Sequence, residues 1–457
     1  ALAYLFVGKV EPWFDDNLPP PPQNNNKEFF TTYDNMFAMK RISVNDTYHM
    51  IPKLNWASGT VYDYYRQDYS IANKSTSGAS NLYNCNWVVR NQTNNVYVCL
   101  DNKGGIPSTS EPQNTSNEPF LTADGYQWQR VYNLTAVDFA DYSTDNFMPI
   151  TNTDVVTSVD GAISTVIIEN PGNSFTVNPI GAPNQIPFYF CNIDGDGSGA
   201  VAKVTIIAGS VSDIEVVRAG SGYTYGTLDF TSNKVYASLS NLDQEKNALN
   251  PEGDGTFRST VIVPPPGGWG TDLVRELGGT RVGVFSDLNY NLFQYFTASF
   301  RQVGILQDMT LSDVNPEAVE ACYAVRVEPL PTGEVYSVGE TITQVVIIDE
   351  VEHLAKGLVV GYDADSGVIR YTQSSVNVDV DGNLYRFNGT NNITGLTSLK
   401  TSAPVIETGT FTGIQMIGGY ATPEVTPYSG IMTYLTNISP VTRDPLQTER
   451  ISLLIAF

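Results

Sequence analysis

Almost nowhere in this chain do apolar residues recur at the three-to-four spacing of a helix face. Short apolar runs recur instead: "AYLFVGKV" (Ala3–Val10), "NWVVRN" (Asn86–Asn91), "NVYVCL" (Asn95–Leu100), "STVIIEN" (Ser164–Asn170), "GLVVGY" (Gly357–Tyr362) and "ISLLIAF" (Ile451–Phe457). Most lie close to Gly, Pro, Asn or Asp, which is how strands joined by turns are written. The chain is therefore expected to be mainly β with few short helices. One helix is expected over Thr271–Leu277, with Thr271 as N-cap and Gly278-Gly279 as the stop. A second is expected to begin at Asn315, with Pro316 in its first position and "EAVEA" following.

With 457 residues, 41% of them hydrophobic, the chain is too long for one ordinary core. One internal repeat stands out. "STVIIENPGNSFT" (Ser164–Thr176) returns as "SDIEVVRAGSGYT" (Ser212–Thr224), each copy an apolar strand, a Gly-containing turn and an aromatic-Thr restart. Two copies are too few for a solenoid. They suggest a small self-contained β module inserted in a larger β body, dividing the chain into residues 1–154, 155–240 and 241–457. Two stretches read as surface excursions. Pro19–Pro22 followed by "QNNN" cannot pair in a sheet, and Asn102–Asp124 has almost no apolar residue before Phe120, as expected of a long excursion laid over a neighbour.

Charge narrows the function classes. A formal net charge of −23 repels phosphate backbones and anionic membrane surfaces, so neither nucleic acid nor membrane is an expected partner. No apolar run approaches the ~20 residues of a membrane span, and the opening "ALAYLFVGKV" reads as a strand, not a signal peptide. Cys85 and Cys99 flank a polar turn and could face one another across a hairpin. With nothing else pointing to an oxidising compartment, free thiols are the expectation.

Catalytic chemistry finds little to build on. His49 and His353 are the only histidines, which leaves few ways to assemble a nucleophile–base pair, and no Cys or His pair has zinc-ligand spacing. "DGDGSG" (Asp194–Gly199) begins like a calcium loop, but Thr205 stands at the twelfth position where a bidentate Glu is needed. Asp194 and Asp196 are thus weak metal candidates, and this turn, "DADSG" (Asp363–Gly367) and "DVDGN" (Asp379–Asn383) are read as turns between strands. The glycine pairs lack a Walker lysine. No cofactor is expected. Aromatic stretches at Tyr62–Tyr69 and Asn289–Phe300 fit core strands or interface anchors.

Four blocks resemble a known family. "LFVGKVEPW" (Leu5–Trp13) followed by the proline excursion, "HMIPKLNWASGTVYDYY" (His49–Tyr65), "VYVCLDN" through "DGYQWQRVYNL" (Val96–Leu134) and the closing "YSGIMTYLTNISPVTRDPLQTERISLLIAF" (Tyr428–Phe457) resemble, in order, the baseplate wedge subunit of T-even-like contractile-tailed phages, of the gene product eight type. The resemblance implies a two-layer antiparallel β platform with long loop excursions and no catalysis. It also implies a homodimer within each wedge, a place in the virion tail after assembly in the host cytoplasm, and contacts to other wedge subunits and to tail-fibre or fibre-adaptor proteins. Interface candidates taken from the blocks are Trp13, Trp56, Tyr64, Tyr65, Tyr126, Trp128, Tyr434, Arg443 and Phe457. The closing strand is expected to be fully buried, completing a platform or covered by a neighbour. The middle of the chain departs from the family's shorter type. That leaves a different class open, a receptor-binding or tail-fibre adhesin whose inserted module reads a host surface glycan.

Overall fold

The computed structural model describes residues 2–151, 158–175, 188–229, 235–236, 239, 251, 253–289, 293–313, 316–444 and 447–456. The protein is mainly β, with 41% strand, 8% helix and several antiparallel sheets. It divides into two compact units, residues 1–47 with 284–453, and residues 48–283 with 454–457.

The first unit holds a five-stranded sheet in the order Ala318–Glu320, Met36–Arg41, Ala3–Gly8, Phe300–Gln307, Ile431–Val441. Tyr4, Phe6, Met39 and Leu306 pack together on one face of it. A seven-stranded sheet in the same unit is built around the hairpin Thr341–Ile348 and Val351–Asp363. The expected helix after Pro316 is instead the Ala318–Glu320 strand, paired residue for residue with Lys40, Met39 and Ala38. Val319 is buried and its neighbours are half-exposed, so burial on a sheet edge outweighs local helix preference. Asn315 lies outside the described residues. A helix not foreseen, Asn26–Asn35, opens where the Asn25 side chain accepts from the Glu28 amide at 2.9 Å. Asn-x-x-Glu is a legible capping signal.

The second unit is centred on a sheet in the order Val88–Arg90, Asn95–Asp101, Gln127–Asn133, Phe120–Leu121. Val96, Val98 and Leu100 face one core with Trp87 and Trp269, and Tyr97 and Cys99 face another with Tyr126 and Trp128. Burial on both faces is why "VYVCL" reads as an unbroken apolar run. All four cysteines are free. The hairpin sets Val88 opposite Val98, and the carbonyl that takes the Cys99 amide is that of Trp87, so Cys85 is two residues out of line. The helix expected at Thr271 runs Leu273–Leu277 with Asp272 as its N-cap and Gly278, at φ 69°, as its stop. Thr271 turns its hydroxyl back to the Gly267 carbonyl. A further short helix, Ala136–Tyr142, is capped by Thr135.

The internal repeat is a structural one. Gly172 and Gly220, 48 residues apart, both have positive φ, as do Ser174 and Gly222. Phe175 and Tyr223 both pack into one core, alongside the equivalent pairs Ile163 with Val211 and Val166 with Ile214. The copies bond reciprocally. Ile163 N–H donates to Ala219 O at 2.8 Å and Val211 N–H to Pro171 O at 3.0 Å. Phe175 N–H donates to Gly209 O at 3.1 Å and Tyr223 N–H to Gly161 O at 3.2 Å. Each bond is the other's counterpart after the 48-residue offset, so the two copies are related by an approximate two-fold.

Two stretches expected to meet a neighbour are placed here within the single chain. In the closing strand Glu449–Ala456 only Leu453 is buried, because Arg450 and Ser452 interrupt the apolar run. Phe457 lies outside the described residues. The Asn102–Asp124 excursion lies on its own sheet: Tyr97 Oη donates to Asn114 O, Asn91 Nδ2 to Pro112 O and Gln129 Nε2 to Asn117 O.

Candidate assembly surface

Past the Ala3–Gly8 strand the chain runs out as an arm through "EPWFDDNLPPPPQNNN", Glu11 to Asn26. Prolines offer no N–H to a ladder, so such a segment is held by side chains or not at all. Here it is held. Trp13 Nε1 donates to Ile438 O at 3.2 Å, and Asn437 Nδ2 donates to Pro20 O at 2.8 Å. Arg301, almost fully buried, donates from Nη1 to Val10 O at 2.6 Å and grips Asp16 with its other two nitrogens. Lys9 Nζ sits 4.4 Å from the Trp13 ring centre. The Arg301 guanidinium holds the Asp16 carboxyl at about 2, well below its ordinary value.

On this pinned backbone two apolar side chains stand free in solvent, Phe14 at 110% and Leu18 at 77% relative exposure. The arm crosses Ile431–Val441, which is the outermost strand of its sheet. Between the end of the prolines and Met432–Leu435 a recess of about 320 Å³ opens, lined in part by Pro22, Phe29 and Tyr434. Open sheet edges are ready templates for another chain, and bulges at Phe300/Gln302 and Ile305/Leu306 interrupt the inner ladder of this one.

A second exposed apolar surface lies on the hairpin of the seven-stranded sheet, turned at Asp349 and Glu350, both with positive φ as a two-residue hairpin loop requires. Among the described residues, neighbouring strands pair only with Ile342–Thr343 and Leu358–Asp363, so Gln344–Gly357 projects as a two-stranded finger. Its inner face buries Gln344, Val346 and Ala355 and stacks His353 on Tyr385 at 4.2 Å. Its outer face shows Val345, Ile347 and Leu354 to solvent, with Ile348 and Val351 at the tip. The sequence reading missed this finger, although "VVII" flanking Asp-Glu was its signal: an apolar run without alternation leaves both hairpin faces greasy.

The other candidates divide between interior and surface. Tyr65, Tyr126 and Trp128 are core residues, 3%, 0% and 0% exposed. Trp56 is half-buried and donates to Ser108 Oγ at 3.1 Å, and Tyr64 accepts from Arg66. Arg443 is buried, chelating Glu449 and donating to Phe293 O and Phe296 O. Asp196 spends both carboxylate oxygens on Thr224 and the Tyr225 amide. Among the described residues no group of three or more His, Cys, Asp or Glu is placed to hold a metal ion. Asp363 caps its own hairpin turn through Ser366, and Asp379 closes a loop onto Asp381 and Asn383 instead of sitting at a hairpin tip.

No protein-family model matches this chain, and no curated protein matches it significantly.

Proposed function

We propose that this chain is a structural subunit of a contractile phage-tail baseplate wedge, joining a second copy of itself, other wedge proteins and tail-fibre proteins in the virion. The observation that carries the reading is the arm: Phe14 and Leu18 are held outward by a backbone that is itself fixed at Trp13, Asp16 and Pro20. A flexible tail would let such residues fold back. A pinned one keeps about the full transfer cost of two large side chains, several kcal/mol, in reserve for a partner. Further support comes from where the family-like blocks lie. The first and last meet through Trp13 and Ile438, and the second and third meet where the Tyr62 amide donates to Tyr126 Oη at 3.3 Å.

The test is light scattering coupled to size exclusion on the wild type and on Phe14→Ser/Leu18→Ser. A concentration-stable mass of twice 49.9 kDa, or capture by wedge proteins, lost in the double variant with no change in melting temperature, supports the reading. A stable trimer, or assembly indifferent to both substitutions, overturns it.

A further inference from the structure

We propose that a recess in the second unit binds the acetamido group of an N-acetylated amino sugar, the end unit of a surface glycan. The inference uses none of the residues that carry the assembly reading and stands or falls apart from it.

Three stretches distant in sequence wall the recess, whose volume is about 350 Å³. The long excursion contributes Ser116–Pro119, and the repeat contributes Ala162–Ser164 together with Ala219 and Gly220. Those two parts of the repeat are joined where Ile163 N–H donates to Ala219 O. Pro264, Gly268 and Trp269 form the third wall, set hard against Ser158 and Val159. A methyl on Gly268 would meet Val159 O at 2.9 Å, and Ser158 Oγ lies 2.5 Å from Thr271 Oγ1. The walls are thus fixed to one another before any ligand arrives, as in most small-molecule sites.

Two deeply buried polar side chains line this recess. Gln129 is 8% exposed; its Nε2 donates to Asn117 O at 2.8 Å, while its Oε1 has no partner among the described residues. Buried acceptors are seldom left so, because their lost hydration goes uncompensated. Ser164 is 6% exposed; its Oγ accepts from Trp269 Nε1 at 3.1 Å and keeps its own proton to donate. An unmet acceptor and a spare donor complement an amide, with N–H to Gln129 and C=O to Ser164. Val159, Ile163 and Pro264 add apolar lining, which suits the methyl of an acetyl group. Asn and Gln side chains of a protein partner bring an amide without that methyl.

Size and charge complete the match. One water takes up about 30 Å³ of liquid, so the recess has room for much more. It stands at the small end of ligand sites, roughly 300–1,000 Å³, which fits one sugar unit. Ser116, Asn117 and Glu118, exposed or half-buried, supply polar groups for ring hydroxyls. Among the described residues Glu118 is the one ionisable side chain in the lining, as a neutral ligand requires. A cleft of about 740 Å³ shares Glu118, Ile163, Ser164 and Ala219 with the recess and leaves space for the units that follow.

The probes are the methyl glycosides of N-acetylglucosamine and N-acetylgalactosamine, observed by saturation-transfer NMR on the full chain, with methyl glucoside and N-methylacetamide as controls. The strongest saturation is expected at the acetyl methyl of one or both amino sugars, with little on either control. Affinity is expected to fall about tenfold, ~1.4 kcal/mol, in Gln129→Met and in Ser164→Ala. Val159→Trp, at a position 53% exposed on the rim, should block binding without disturbing either buried group. Phe14→Ser/Leu18→Ser should bind as the wild type does. Absence of saturation with both amino sugars, equal binding of methyl glucoside or N-methylacetamide, or undiminished binding in Val159→Trp overturns the proposal.

Discussion

Arg301 clasps Asp16 through two near-parallel bonds, Nε to Oδ1 at 2.8 Å and Nη2 to Oδ2 at 2.7 Å, and so fixes the polar arm to the sheet beneath it. Because that pairing depresses the Asp16 pKa, from 3.8 to about 2, the clasp contributes fully above 3.8 and is lost as pH falls through about 2. The expected outcome is an arm that resists pepsin near pH 4 and is cut beside Phe14 and Leu18 near pH 2. Asp16→Asn should behave at neutral pH as the wild type does in acid, with arm amides exchanging quickly. Equal protection in wild type and variant would show that Trp13 and Asn437 suffice.

A second relationship lies deep in the first unit. Arg370 is fully buried, bonds Glu320 at 2.9 Å, donates to Thr412 O at 3.0 Å and lies 4.5 Å from the Tyr295 ring centre. Burial raises the Glu320 pKa even though Arg370 pulls it down. Arg370→Met should cost about 1–3 kcal/mol, because the Glu320 carboxylate, still 20% exposed, is left without its cation. The sign with pH follows. A raised folded pKa favours the fold at low pH and penalises it as pH rises, and removing Arg370 raises that pKa further. The variant's deficit in urea unfolding should therefore shrink towards pH 4, and Arg370→Met/Glu320→Leu should recover much of it at pH 7.

Asp124 organises the loop that the sequence suggested would lie over a neighbour. Its Oδ2 accepts from Ser108 Oγ, Thr109 N and Ser110 N at 2.9, 2.7 and 2.9 Å, and its Oδ1 from Thr122 Oγ1 and the Tyr126 amide. Burial raises its pKa, but these donors outweigh burial and hold it at about 2. Loop order is thus expected above 3.8, the ordinary value, and to fade as pH falls through about 2. Asp124→Asn should cost roughly 1 kcal/mol, discounted for its solvent exposure. Faster exchange at Ser108–Ser110 is the readout, and the acid dependence should flatten in the variant.

What could be read in advance divides along physical lines. Strands with both faces covered, such as Asn95–Asp101, announce themselves as apolar runs. The positive φ at Gly278 and the N-cap at Asn25 follow from local backbone needs, so they were legible whether or not they were taken up. Ala318–Glu320 was not, because only its partner Met36–Arg41 makes it a strand. The candidate surface split in the same way. Trp13, read as an interface candidate, ties its own arm to Ile438 O, and an aromatic such as Trp128 reads alike in a core and at an interface. Phe14 and Leu18 drew no notice, since exposure is decided by Arg301, 285 residues away from Asp16 in sequence. The acidic turns were read for their spacing, whereas the partner that satisfies Asp196 is Thr224, contributed by the second copy of the repeat.

The approximate two-fold of that repeat makes its two glycine turns comparable, and they should not respond alike. Gly172 and Gly220 have φ of 58° and 67°, so an alanine at either costs about 1–2 kcal/mol from the left-handed backbone. At Gly172 a methyl would meet Phe175 and Phe257 atoms no closer than 3.1 Å, a contact that small shifts relieve. At Gly220 it would meet Ala200 N and Ser198 O, both backbone, at 2.6 Å. Overpacking against fixed backbone adds about 1–3 kcal/mol, so Gly220→Ala should destabilise the second unit clearly more than Gly172→Ala. Ser174, the counterpart of Gly222, holds φ 63° with a side chain. Ser174→Gly relieves that strain and gives back about 0.4–1 kcal/mol in unfolded-state entropy, for a net gain of up to about 1 kcal/mol. Urea unfolding followed by tryptophan fluorescence ranks the three variants. Equal losses at the two glycines would mean that the 198–200 turn yields, and that the copies are alike in sequence but not in rigidity.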